Sequence, residues 1–219
     1  MLALFLLLAS FLGAQQRENL TYSINWPSGL SLGEGSMTAV ANGHQWDFGL
    51  TLEAAIPGFP LRDAYRSRAA NDALCSVSFE KSSTHGTRIA SEKLLFDSAA
   101  KTVRRETDKG GKSEASTGDC ARDALAFLFY ARKELANGHI PAPQTVYFGA
   151  AYQVSFKHAG IHQVRQGDVR VEADKFAVSL KGPASLTNFE VSFARDAART
   201  PLVIRSQFAM GSFSMELVP

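Results

Sequence analysis

Hydrophobic and polar residues alternate along much of this chain. Over residues 20–26, Leu20, Tyr22, Ile24 and Trp26 are separated by Thr21, Ser23 and Asn25. Over 74–80, Cys75, Val77 and Phe79 alternate with Ser76, Ser78 and Glu80, and over 212–217 Phe213, Met215 and Leu217 alternate with Ser212, Ser214 and Glu216. A period of two gives a strand one buried face and one wet face, the pattern of an antiparallel sheet. Weaker alternation predicts further strands over 36–40, 45–52, 88–96, 101–106, 145–148, 152–157, 169–180 and 188–194. Turn residues punctuate them: Pro27–Gly29, Asn42–Gly43, His85–Gly86, Ala159–Gly160 and Gly182–Pro183.

One segment keeps a different period. Ala121, Ala124, Leu125, Leu128, Ala131 and Leu135 recur at helical spacing. This predicts a helix over about 120–137, with Asp119 as its N-cap and Gly138 as its stop. Phe127, Phe129 and Tyr130 widen its apolar surface beyond one stripe, so the helix is expected to be buried. The polar, Gly- and Ser-rich stretch 106–119 before it reads as a mobile loop. Many short antiparallel strands and one buried helix make a mainly β protein. The expected form is a strongly curved antiparallel sheet, or a partly open barrel, wrapped around the helix.

The first residues change the picture of where the chain resides. Leu2 to Leu12 is an uncharged apolar run, too short to span a bilayer, followed by Gly13, Ala14 and the polar Gln15. This is the pattern of a secretory signal peptide over 1–14, cut between Ala14 and Gln15, leaving a single β-rich domain over 15–219. Export predicts the periplasm or envelope of a bacterium and at most a peripheral relation to the membrane. In an oxidising compartment the cysteines, Cys75 and Cys120, are expected to form a disulfide that pins the helix to the sheet. The formal net charge of +2 gives no footing for nucleic acid as a partner.

Candidate chemistry is sparse. Gly110–Ser113 reads GGKS, but Glu106 stands where a phosphate loop needs its first glycine. His158 and His162 are four apart, yet Gly160 between them interrupts the local structure, and no carboxylate cluster or cysteine accompanies them. Cys120 near a helix start could be an activated thiol, but Cys75 is available to bridge it. No GxSxG motif occurs. No catalytic, cofactor or metal motif therefore emerges, and the chain reads as non-enzymatic. The 15 phenylalanines either fill the core or line a cavity for a lipophilic ligand, with Trp26, Phe127 and Tyr130 as its expected lining. The tetrapeptide Ala-Arg-Asp-Ala occurs at 121–124 and again at 194–197. The first copy opens the predicted helix and the second falls in a turn between two predicted strands, so both read as structural punctuation.

Three stretches together resemble an exported bacterial family known as domain of unknown function 3108. They are LTYSINWPSGLSLGEGSMTA, with its alternating strand and glycine-bearing turn; DALAFLFYARKELANGH, the central helix; and VSFARDAARTPLVIRSQFAMGSFSMEL, the closing hairpin. The resemblance covers nearly the whole mature chain and brings no catalytic residue with it. The hairpin is also similar, in architecture only, to that of periplasmic lipoprotein carriers, which hold acyl chains in a half-open barrel around a helix. The expectation is an exported envelope protein that binds a lipid or other apolar ligand without catalysis. The alternatives are a structural module that binds another envelope protein and, last, an enzyme of unknown type.

Overall fold

A computed structural model describes residues 16–56, 59–70, 72–208 and 211–219. The expected signal peptide and the Ala14–Gln15 junction lie outside the described residues. The strands are β1 (Arg17–Asn25), β2 (Ser31–Asn42), β3 (Gln45–Ile56), β4 (Phe59–Ala70), β5 (Cys75–His85), β6 (Arg88–Asp97), β7 (Thr102–Thr107), β8 (Lys112–Ser116) and β9 (Arg122–Asp123). The helix α1 (Ala124–Ala136) follows, and then β10 (Gln144–Phe148), β11 (Ala150–Gln166), β12 (Val169–Lys181), β13 (Leu186–Ala194), β14 (Pro201–Phe208) and β15 (Gly211–Leu217).

All of them belong to one curved sheet in the order β8-β7-β6-β5-β4-β3-β2-β1-β15-β14-β13-β12-β11-β10-β9. Neighbours pair antiparallel except β9 with β10. Nearly every pairing is therefore between consecutive strands. The exception is β1 with β15, where Tyr22 stands opposite Leu217 and Ile24 opposite Met215, so the two ends of the chain meet in mid-sheet.

The ladder is open, but it is tied into a barrel-like shape by a seam between residues 73–76 and 120–123. Ser76 N–H donates to the Ala121 carbonyl at 2.9 Å. Arg122 donates through Nε and Nη2 to the Ala73 carbonyl at 3.0 and 2.7 Å. Cys75 and Cys120 are bridged, with their Cα atoms 4.9 Å apart. Strands β6, β7 and β8 continue past this seam as a flap, and it folds over β10: Phe96 packs edge-on against Tyr147 at 5.7 Å.

The helix lies in the concavity and begins later than the sequence suggests. Asp119 is not its cap; it is exposed and pairs with Lys101 at 2.6 Å. The cap is Asp123, because residues 122 and 123 first form a short parallel bridge to Val146 and Tyr147 and only then can the chain turn helical. Gly138, at φ +80°, follows the C-cap Asn137. The helix divides the core. One side packs with Phe48, Phe79, Leu94 and Tyr147, including a stacked Phe48–Phe129 pair at 4.1 Å. The other side packs Phe127 and Leu135 with Val154, Phe176, Val191 and Phe193. Arg132 ties the helix to β1 and to the turn before β14. Its guanidinium donates to both carboxylate oxygens of Glu18 at 2.7 Å and to the Ala198 carbonyl at 3.0 Å.

Two other expectations are corrected. Residues 106–119, read as a mobile loop, include the turn of the β7–β8 hairpin and the strand β8, whose side chains are all exposed and so carry no apolar period. Residues 158–162, read as a turn, lie within the 17-residue β11, where a β-bulge between His158 and Gly160 takes up the irregularity. The second Ala-Arg-Asp-Ala copy does form a turn: Asp196 accepts the Thr200 N–H at 3.0 Å and its hydroxyl at 2.7 Å.

The disulfide closes a loop with a sequence separation of 45. In the chain-entropy treatment, Cys75→Ser with Cys120→Ser should cost about 4 kcal/mol of unfolding free energy. Urea unfolding of oxidised wild type against the double variant measures it; equal midpoints would remove the seam's covalent tie from the account of stability.

Candidate functional site

Antiparallel register places directly opposed residues on the same face of a sheet, so rows of side chains can be followed across the concave side. One row runs Leu61–Ala54–Gly33–Ile24–Met215–Ile204–Val191–Phe176–His158. A second runs Phe213–Ser206–Phe189–Val178–Phe156. Where these rows meet the helix they are closed: Val191 and Phe176 are buried. Away from it Leu61, Ile24, Met215 and Phe213 are only half-buried, and Ile204, Phe189 and Phe156 are half-buried where they border the cluster that holds Phe127 and Leu135 of the helix. Among the described residues the concave face is thus plugged by the helix in one part and open and apolar in another.

Glycines shape this face. A Cβ at Gly33 would run into the Glu53 backbone carbonyl. One at Gly35 would come within 3.1 Å of Leu52 Cδ2 and 3.3 Å of Met215 Sδ. Glycine lets the β3 backbone approach β2 at position 33 and lets the side chains of Leu52 and Met215 close over it at position 35.

On the flap side the concave face becomes polar. Tyr65, Lys81, Glu92 and Thr107 form a row over β4 to β7. Asp63, one pleat further along β4, is buried and lies 2.9 Å from His85 Nε2. Burial and the hydrogen-bonded Asp63 carboxylate both push the Tyr65 phenol far above its ordinary range, so it stays protonated. Glu92 Oε2 accepts Arg105 Nε at 2.9 Å and Nη2 at 2.7 Å. Gly149, at φ +73°, faces this carboxylate so closely that any Cβ would strike it. The Lys81 ammonium sits 4.6 Å from the centre of the Phe148 ring, which in turn packs on Tyr65 at 5.4 Å. A cleft of about 420 Å³ opens beside Lys81, His85, Glu92 and Arg105.

The three aromatics expected to line a cavity do not converge. Phe127 is buried in the core on one side of the helix. Tyr130 is half-buried 6.2 Å from it, beneath the Arg122 guanidinium at 3.8 Å. Trp26 stands apart at the far end of β1, edge-on to Phe213 at 4.7 Å. His158 and His162 fall on opposite faces because the bulge intervenes; the first meets Asp174 at 3.3 Å and the second Ser192 at 2.9 Å. Sequence reasoning missed the polar cluster altogether. Its one signal is Lys81, an in-phase position of the alternation begun by Phe79.

Comparison with known proteins gives the chain its family. It belongs to DUF3108, described as a protein of unknown function, and matches over residues 21–218. No curated protein matches it. Among solved structures it is similar to a β-barrel-like protein of domain of unknown function DUF1849 from Brucella abortus. The two share 9% identity and a TM-score of 0.58, over 91% of this chain and 94% of that one. At that identity the likeness concerns the fold alone.

Proposed function

We propose that this DUF3108 member is an exported, non-catalytic protein that binds a lipid or other apolar ligand on the open part of its concave face. One observation carries the reading: Ile24, Met215, Ile204, Phe189, Phe156 and Phe213 are in phase with the buried core and yet remain half-buried. Complete burial of one such side chain contributes about 1.5–3 kcal/mol. A concave surface that leaves this unrealised across several strands suits an apolar ligand that completes it. The Cys75–Cys120 bridge and the apolar leader over residues 1–14 support an oxidising destination, the periplasm or envelope. Among the described residues no helix is long and apolar enough to cross a membrane.

The alternative, a module that recruits another envelope protein through a sheet edge, has less support. The edge strand β8 is five residues long and carries Lys112 and Glu114, features that discourage edge pairing.

Protein purified without detergent and extracted with organic solvent should release an amphiphile detectable by lipid mass spectrometry. After delipidation, Ile24→Asn or Met215→Gln should weaken binding of a fluorescent dodecyl-chain probe on the order of tenfold, the equivalent of one partly lost apolar contact. If no amphiphile co-purifies and the probe does not bind wild type, the ligand-binding reading is wrong.

A further inference from the structure

The polar cluster at the flap gives the ligand a chemistry. Two carboxylates that the strands place on this part of the concave face are already engaged: Asp63 by His85, and Glu92 by the two Arg105 nitrogens. Lys81 stands between Tyr65 and Glu92 in register, half-buried, with its ammonium over the Phe148 ring. Among the described residues it forms no ion pair. A ring face compensates a partly desolvated ammonium only in part, whereas a charge-assisted hydrogen bond to an anion is among the stronger polar contacts available. The cleft beside it is lined by four bases, Lys81, Arg88, Arg105 and Lys109, against two acids, Glu92 and Asp108. Glu92 is neutralised by Arg105, so the balance facing the cleft is positive.

The same cation borders the apolar wall. Phe148 contacts Tyr65 and Phe79, and Tyr65 stands opposite Leu50 on β3, next to the rows that carry Leu52, Ala54 and Leu61. A head group at Lys81 can therefore continue into a chain laid along the concave face. One uncommitted, half-buried cation matches a single negative charge.

Resting on the ligand-binding reading above, we infer that the ligand is a single-chain amphiphile with a monoanionic head, of the long-chain carboxylate class, and that Lys81 is the residue that binds its carboxylate. Lys81 acts as a specificity residue: it distinguishes an ionised head from a neutral one of equal chain length, while the apolar rows supply affinity for both.

The test uses the delipidated full-length mature chain, near pH 8, titrated calorimetrically with dodecanoate, dodecanol, acetate and inorganic phosphate. Wild type should bind dodecanoate about tenfold or more tighter than dodecanol, and acetate and phosphate weakly or not at all. Lys81→Gln should bring dodecanoate down to the dodecanol level and leave dodecanol unchanged, and Lys81→Arg should restore part of the preference. Circular dichroism of each variant establishes that it is folded. Equal affinities for dodecanoate and dodecanol in wild type would overturn the head-group assignment and leave the ligand-binding reading standing, as would a Lys81→Gln effect of the same size on both. Acetate or phosphate binding as tightly as dodecanoate would overturn it in favour of a small-anion site. Binding of none of the four would overturn both.

Discussion

The carboxylate of Asp123 is the point on which the architecture turns. It is fully buried, and each oxygen takes two hydrogen bonds. Oδ1 accepts from the backbone N–H groups of Leu125 and Ala126 at 2.9 and 3.1 Å, and Oδ2 accepts from the hydroxyls of Ser67 and Ser76 at 2.6 Å each. Its own N–H donates to Ser76 Oγ at 2.7 Å. Burial pushes the carboxyl above its ordinary range and the four donors pull it down, with burial the larger influence. An acid in such a place is tolerable only with its hydrogen bonds complete. Satisfying it requires the helix start, β4 and β5 to meet at one spot, which is also where the disulfide and the Ala121–Ser76 bond close the seam. The helix is thereby fixed at one end of the concavity.

That placement explains why the two parts of the concave face differ. Near the helix, side chains from both arms of the sheet find partners, and the core is dense with aromatic contacts such as Phe48–Phe129 and Phe127–Phe156. Farther away the sheet keeps its apolar phase, and among the described residues no second layer covers it. Arg132 holds the other flank of the helix against β1 and the turn before β14, so the plug is anchored on both flanks. The half-open concavity follows from a sheet of many strands and a helix of 13 residues, too short to fill it.

Much of this was legible in the alternation of residues. Strands β1 and β15 announce themselves because their inward positions are large and apolar, whereas in β5 a register shift at Val77 exposes that residue and buries Ser76, against the alternation over 74–80. Strand β4 does not: its inward positions include Asp63 and Ser67, one meeting His85 and the other Asp123, so tertiary partners and not hydropathy justify them. The first half of β2 is hidden for a different reason, since Gly33 and Gly35 answer to close backbone and side-chain approach. The helix was visible from its period, but its start was not, because the bridge of residues 122–123 to Val146 and Tyr147 is a non-local pairing. The choice of Trp26, Phe127 and Tyr130 as a lining rested on ring size, and size does not say which way a residue faces once strands curl. A charge at an in-phase strand position, as at Lys81, is the better signal of a site, because burial there needs a reason.

The central claim is that the open part of the concave face holds an apolar chain. The most direct measurement is a crystal structure of the delipidated chain with a terminally brominated dodecanoate, read by the anomalous signal of bromine. The account predicts a bromine site on the concave face against Ile24, Ile204, Met215 or Phe156. Bromine found only on the convex surface, or none at a saturating concentration, would contradict it.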